Sequence, residues 1–321
     1  VTGVNWRVKL LNVAGTLYED EIIAGYEYVG NLRRRYNQTN GQQGAFVVAT
    51  NASFGLDKEF AEDHPLWCAV YDSLGQLGIV SVGATTNDNR NVEIEGDMPS
   101  TCTSEFLITV TNIDQLGAKV ANTGYGKVSI DLGAPGQNTY STANVGNATP
   151  GYAPLGGTSA ATPHVTGAVG LLYSMPCPTF SSDALTDPVA CARRVRDAIV
   201  LNTEPNDDLD GITVTGGHLD LARATAFIQE LCQGSSGPLA ITKVRQFGDD
   251  LWRVSYQTPN DQPYAFRVHN MLGQLMYEET LTANPFSENY VTVDGANFPP
   301  GIYTMSIRRG DAVVSRKFRK I

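Results

Sequence analysis

The eleven residues Gly157-Thr158-Ser159-Ala160-Ala161-Thr162-Pro163-His164-Val165-Thr166-Gly167 constrain the fold of this 321-residue chain more than any other stretch. A Gly-Thr-Ser turn runs straight into an Ala-rich apolar segment that reaches Leu171-Leu172-Tyr173. This is the pattern of a loop entering a buried helix. Helix-forming Ala161, Ala168 and Leu171 follow Ser159, which sets its hydroxyl on the first turn. There the unpaired backbone N–H groups and the positive end of the helix dipole favour developing negative charge. Ser159 is therefore a candidate nucleophile. Pro163 falls in the second turn, a costly place for proline.

Upstream, strand and helix periods alternate. Residues 6–13 alternate apolar and polar side chains and then run apolar, as a strand does. Residues 20–36 carry Ile22, Ile23, Tyr26, Val29 and Leu32 at helical spacing. A short apolar strand is expected at 45–49, a helix centred on 66–74 and a buried strand at 78–82. Further strands are expected at 106–111 and 127–132, the latter ending in the turn Gly133-Ala134-Pro135-Gly136. A later helix at 187–200 would carry Arg193, Arg194 and Arg196 outward. This order implies an α/β fold with a mostly parallel sheet, right-handed crossovers and helices on both faces.

After a linker at 234–238, whose Gly, Ser and Pro content sets it apart, the period changes to two. Short alternating segments occur at 239–244, 251–257, 264–270, 274–280, 290–293, 302–308 and 313–319. Trp252, Val254 and Tyr256, and again Tyr303, Met305 and Ile307, alternate cleanly. Seven such strands argue for a small, immunoglobulin-like β-sandwich over 239–321.

Charge narrows the partners. Residues 1–238 hold 13 basic and 25 acidic side chains, a balance of −12, whereas 239–321 hold 10 and 8, a balance of +2. An acidic main body without a basic stripe argues against nucleic-acid binding. Arg33-Arg34-Arg35 reads as a solvated helix end. No apolar run reaches the length of a transmembrane helix. The chain begins with neither Met nor a signal peptide and is expected to be a cut piece of a longer one. Cys68 and Cys102 flank the strand at 78–82, and Cys177 and Cys191 flank the loop after the Ser159 helix. Their proximity suggests two disulfides, leaving Cys232 as a buried helix-end cysteine.

In parallel sheets chemistry collects at the carboxyl ends of strands. Two ends matter here: Asn51-Ala52-Ser53-Phe54-Gly55 and Ala84-Thr85-Thr86-Asn87-Asp88-Asn89. Together with 157–167 they resemble the subtilisin-like serine peptidases. The active-serine motif of that family is usually G-T-S-M-A-x-P-H-V-x-G, and Ala160 stands here where methionine is usual. Its substrate-binding segment is usually N-x-S-x-G, and its oxyanion stretch A-A-G-N-x-G, in which Thr86 and Asn89 replace glycines here. The resemblance implies a serine endopeptidase with Ser159 as nucleophile. The carboxamide of Asn87 and the Ser159 N–H would be the oxyanion donors. Ser53, Phe54 and Gly55 would bind a peptide by strand addition. Ala84, Thr85 and Thr86 would wall the primary pocket, with Gly157 and Thr158 lining the site. No metal or cofactor is required. Asn206-Asp207-Asp208-Leu209-Asp210-Gly211 gathers three carboxylates that could ligate a structural calcium or form a solvated turn.

A serine nucleophile needs a base and a carboxylate that orients it. His64, His164, His218 and His269 are the only histidines, and none sits in a pattern that suits a base. His164 is the motif's own histidine, and Asp131 matches a structural position before the Gly-Ala-Pro-Gly turn. The resemblance implies that residues 1–13 follow the family's histidine helix, so 1–233 would be the later two-thirds of a peptidase domain. The missing segment would be a partner, either cleaved and still associated or absent. This chain alone is expected not to hydrolyse peptides efficiently.

At the other end, Pro300-Gly301-Ile302-Tyr303, Lys317-Phe318-Arg319-Lys320 and the turn Asn270-Met271-Leu272-Gly273-Gln274-Leu275 resemble the C-terminal sorting domain of type IX secretion. That resemblance implies export by the outer-membrane type IX machinery of a Gram-negative bacterium, to the medium or the cell surface. The basic tail reads as a recognition feature or a solvated end strand. A non-catalytic peptidase-like binding protein and a plain export cargo are the rival readings.

Overall fold

In the computed structural model, which describes residues 3–15, 18–144, 150–232, 239–247, 250–258, 263–282, 289–310 and 312–320, the chain divides into two units, Val1–Ile228 and Gln229–Ile321. The expected linker at 234–238 lies outside the described residues.

The first unit opens with α1 (Glu19–Gln38), whose first turn carries Glu19, Asp20 and Glu21 at the positive end of the helix dipole. Next come β1 (Ala49–Ala52), β2 (Leu56–Asp57), α2 (Pro65–Gly75), β3 (Val80–Ala84), α3 (Val92–Glu95) and β4 (Asp97–Met98). They lead to β5 (Leu107–Ile113), β6 (Leu132–Pro135), β7 (Thr139–Asn144) and β8 (Pro150–Leu155). The helices α4 (Thr158–Tyr173), α5 (Pro178–Thr186) and α6 (Pro188–Val200) follow, then β9 (Glu204–Pro205), β10 (Gly217–His218) and α7 (Leu221–Cys232), whose last four residues fall past the division at Ile228. The main sheet has the order β1-β3-β5-β6-β10-β9, parallel from β1 to β10 and closed by antiparallel β9. Every residue of β3 and β5 is buried, the mark of a parallel sheet covered on both faces. α4 packs across β1, β3, β5 and β6, its contact face built from Ala161, Val165, Ala168 and Val169. Among the described residues no helix is long and apolar enough to cross a membrane.

Several elements differ from the sequence expectation. Residues 6–13 form no strand: no described strand offers them a partner, and Trp6 and Leu10 stand 76% and 91% exposed. Instead Val4 and Val8 lie against Gly167 and Gly170 of α4, close to where a side chain there would stand. The strand expected at 45–49 pairs only from Ala49, because β3 begins opposite it at Val80. The strand expected at 127–132 is displaced to Leu132–Pro135. The Glu93 carboxylate takes the N–H groups of Val128 and Ser129 and turns the chain before it reaches Val110.

Long-range polar contacts account for the other corrections. Arg33 is fully buried rather than solvated. Its guanidinium donates to Val47 O, to Asn37 Oδ1 at 2.8 Å and to Ala184 O at 3.2 Å, and lies 4.2 Å from the Phe46 ring centroid. Arg196 turns inward to Leu107 O at 3.2 Å and Asp131 at 3.0 Å, while Arg193 pairs with Glu105 and Arg194 with Asp183. Cys68 and Cys102 form a disulfide, as expected. Cys177 and Cys191 do not: Cys191 is free on the buried face of α6, where burial pushes its thiol up to about 12. Cys177 and Cys232 are the other two disulfide-bonded cysteines.

In the second unit all seven expected strands are present: β11 (Ala240–Phe247), β12 (Leu251–Gln257), β13 (Tyr264–Asn270), β14 (Leu275–Leu281), β15 (Asn289–Asp294), β16 (Gly301–Arg309) and β17 (Ala312–Lys320). They form two antiparallel sheets, β11-β12-β15 and β14-β13-β16-β17. Trp252, Val254 and Val293 of one sheet share a core with Phe266, Met305 and Ile307 of the other. At the β13–β14 turn Asn270 Oδ1 accepts from Leu272 and Gln274 N–H, each at 3.0 Å, and Gly273 takes φ +78°. The basic tail is not wholly solvated. The buried Lys320 ammonium donates to Gly295 O at 2.6 Å and pairs with Asp250 at 2.5 Å.

Candidate active site

Three segments meet at the carboxyl edge of the parallel sheet: the end of β1, the end of β3 and the start of α4. The approach depends on two glycines. A Cβ on Gly136 would lie 2.6 Å from Gly157 O and 2.8 Å from Ala161 N, so only glycine lets the end of β6 pass under the start of α4. Gly157 has φ +94°, and a Cβ there would lie 2.6 Å from Asn87 Oδ1. The glycine before Thr158 is thus required both by its backbone and by its neighbour.

Ser159 is exposed on the first turn of α4 between buried Thr158 and Ala160. Its Oγ donates to Ser53 O at 3.2 Å, and Ser53 Oγ donates back to Ser159 O at 2.8 Å. Asn51 Nδ2 donates to Ser53 Oγ at 3.0 Å and Asn51 Oδ1 accepts from Thr166 Oγ1 of α4 at 2.9 Å. The end of β1 is therefore stitched to α4 on both sides of the serine. On the β3 side, Thr158 N–H donates to Asn87 Oδ1 at 2.9 Å and Thr158 Oγ1 donates to Thr85 O at 2.6 Å. With its oxygen engaged, the exposed Asn87 side chain keeps its NH2 free of protein partners among the described residues.

The structure brings together Ser53, Ala84, Thr85, Thr86, Asn87, Gly157, Thr158 and Ser159. Ala84, Thr85 and Thr86 are nearly closed off, at 6%, 3% and 6% exposure. Phe54 packs inward toward Trp67, with ring centroids 6.3 Å apart, and Gly55 passes under β4, where a Cβ would lie 1.9 Å from Met98 O. Asn51 heads the N-x-S-x-G segment singled out in the sequence, but its bonds to Ser53 and Thr166 were not foreseen. Asp97, whose Oδ2 accepts from Thr85 and Thr86, belongs to no motif and could not have been found that way.

Each histidine is engaged elsewhere or lies in the second unit. His164 Nδ1 meets Ala160 O at 3.0 Å, and His218 lies 3.4 Å from Asn206 Nδ2. His64 bridges Glu19 at 2.9 Å and Glu59 at 3.6 Å, and His269 is on β13. Asp131 accepts from Thr109 N at 2.8 Å and from Arg196, a structural station before β6. In the loop at 206–211, Asn206 turns to Gly117 O at 2.7 Å and Asp208 takes Lys119 N–H at 3.2 Å. Its carboxylates do not converge, and among the described residues no cluster of three His, Cys, Asp or Glu suits a metal ion.

A parallel α/β sheet that presents an exposed serine at a helix N-terminus, beside a strand-end carboxamide, is a serine-hydrolase framework. The chain belongs to the subtilase family, which it matches over residues 1–216, and residues 250–320 match the secretion system C-terminal sorting domain. Such a tail goes with secretion or display at the cell surface. The chain is 40% identical to an extracellular protease of Xanthomonas campestris pv. campestris over 101 residues, 30% of this chain and 17% of that protein. It is 26% identical to an intracellular serine protease of Paenibacillus polymyxa over 217 residues, 67% of this chain and 59% of that protein. It thus spans less than two thirds of either relative. A solved protease structure from Pseudoalteromonas arctica shares the fold with a TM-score of 0.51 and 22% identity, over 70% of this chain and 65% of that one.

Proposed function

We propose that this chain carries the nucleophile and oxyanion donors of a subtilisin-like serine endopeptidase acting on polypeptides. Ser159 Oγ attacks the scissile carbonyl carbon and gives its proton to a general base. The Ser159 N–H and the Asn87 NH2 receive the oxyanion. Ser53, Phe54 and Gly55 bind the extended peptide, Ala84, Thr85 and Thr86 wall its side-chain pocket, and Gly157 and Thr158 hold the turn between them. The observation that carries this reading is the clamp of Asn87 Oδ1 on Thr158 N–H, one residue before the exposed serine. No cofactor is needed for the chemistry.

The base and its orienting carboxylate come from a partner segment outside this sequence. Two features support that. Among the described residues β1 is an edge strand paired only with β3, and exposed Trp6 and Leu10 lie in a segment with no strand partner. Residues 239–321 direct the protein through type IX machinery across the outer membrane of a Gram-negative bacterium.

A fluorophosphonate probe tests the catalytic reading. It should label Ser159 in the native protease, not in Ser159→Ala, and the 321-residue chain alone should show no turnover. Removing 239–321 should leave the remainder in the periplasm. One observation favours a non-catalytic binding protein: Ser159 Oγ donates to Ser53 O rather than to an imidazole. Native material whose Ser159 resists the probe would decide for it.

A further inference from the structure

We propose that Asp97 is a positioning residue for the oxyanion donor: its carboxylate holds Thr85 and Thr86 so that Asn87 meets Thr158 with its oxygen and keeps its NH2 free beside Ser159. This rests on the oxyanion role proposed for Asn87.

The geometry is specific. Asp97 is 3% exposed, and one oxygen, Oδ2, accepts three bonds: from Ser100 Oγ at 2.6 Å, Thr85 Oγ1 at 2.8 Å and Thr86 N at 3.1 Å. Thr85 then passes the restraint to α4, because its carbonyl takes Thr158 Oγ1. Thr86 is held from its other side by Gly124 N, which donates to Thr86 O at 3.0 Å. The residue that follows these two is Asn87. Gly55 and Gly83 allow Met98 and Pro99 to press in from the opposite side, since Cβ atoms there would meet Met98 O at 1.9 Å and Pro99 Cγ at 2.8 Å. Asp97 is therefore bonded directly to the residues that follow β3, and through Thr85 O it is one step from the helix that carries the serine.

Stability does not explain this carboxylate. Burial is the largest influence on it and pushes it up to about 6, against the pull of Ser100, Thr85 and Thr86 and with Asp57 adding to the push. Asp57 faces it across the β2–β4 pair, and Arg90 is drawn to Asp57 at 3.8 Å and to Asp88. Among the described residues no cation pairs with Asp97. A folded-state value raised above 3.8 means that the folded chain holds a proton the unfolded chain has lost between about pH 4 and 6. Stability falls as pH rises through that window, so above about 6 the ionised group is a cost to the fold. A merely structural residue at this place would be better uncharged.

The test uses the 15N-labelled 321-residue chain, so it does not depend on turnover. The Thr86 and Thr158 N–H signals and the Asn87 side-chain NH2 should titrate together with a midpoint near 6. In Asp97→Asn that shared titration should vanish while the thermal midpoint at pH 8 holds or rises. A titration that persists in Asp97→Asn, or one confined to Thr86 with Asn87 and Thr158 unmoved, overturns the proposal. In the active protease, Asp97→Ala should lower kcat about 100-fold with KM nearly unchanged, the scale of a displaced catalytic group. Asp97→Asn, which keeps an acceptor oxygen, should recover most of it; an unchanged kcat in Asp97→Ala overturns the role. If Ser159 resists the probe while the coupled titration is present, the peptidase reading fails and the tie from Asp97 to Asn87 stands.

Discussion

The two units bury different things. The second unit fills its interior with alternating apolar side chains from two facing sheets, Trp252, Val254 and Val293 against Phe266, Met305 and Ile307. Its buried polar residues are few, with Ser255, Thr258 and Lys320 among them. The first unit buries Arg33, Asp97, Asn112, Asp131, Thr85 and Thr158 as well as its apolar core. Much of that polar set lies at the strand ends around Ser159. A site that stabilises developing charge needs fixed dipoles, and fixed dipoles need partners that are themselves buried. A core filled almost wholly by apolar side chains has no such requirement.

That contrast can be broken by substitution. Phe266→Ala should remove about 3–5 kcal/mol from the second unit, as loss of a buried aromatic does, and lower its own unfolding transition in calorimetry. Fluorophosphonate labelling of Ser159 in the native protease should be unaffected; a parallel loss of labelling would mean the units are not energetically separate. Asn87→Ala should do the reverse. Turnover of the native protease should drop about 100- to 1000-fold, the range known for an oxyanion donor in enzymes of this kind, subtilisins included. Its thermal midpoint should fall only modestly, reflecting the loss of about 1–3 kcal/mol when the N–H of buried Thr158 loses its acceptor.

Replacing Cys68 and Cys102 by serine tests how far the first unit depends on cross-linking near the site. Closing a loop of 34 residues should be worth about 2–4 kcal/mol, read as a shift in the denaturation midpoint under non-reducing conditions. Cys191 should react with a thiol reagent only after unfolding, because it is buried and its thiol is pushed up to about 12. The smallest effect is expected at His64. Burial pulls its pKa down, but Glu19 and Glu59 outweigh that and raise it above 6.5. Its contribution is therefore full below about pH 6.5 and lost as pH rises through the raised value. Against His64→Gln the wild type should be more stable by less than about 1 kcal/mol at pH 5, and the gap should close toward pH 8.

What was legible in the chain follows the same division. The seven strands of the second unit were readable because a half-buried strand writes its environment into every second residue. The helix after Ser159 was readable because α4 needs small residues where it crosses four strands. The run Arg33-Arg34-Arg35 misled, because only Arg33 meets the carbonyls of Val47 and Ala184, which come from distant parts of the chain. The strand expected at 127–132 misled for a similar reason, since Glu93 captures two backbone N–H groups 35 and 36 residues away.

The order of residues by itself determined the serine's place on a helix start, the α/β alternation and the switch to a period of two after residue 239. Each rests on neighbours within a turn or a strand, and such neighbours are written side by side. Tertiary structure decided that Asn87 caps Thr158, that buried Asp97 binds Thr85 and Thr86, and that Cys191 stays free while Cys177 does not. Those outcomes depend on which remote groups arrive first at a buried polar atom, and a linear pattern holds no record of that.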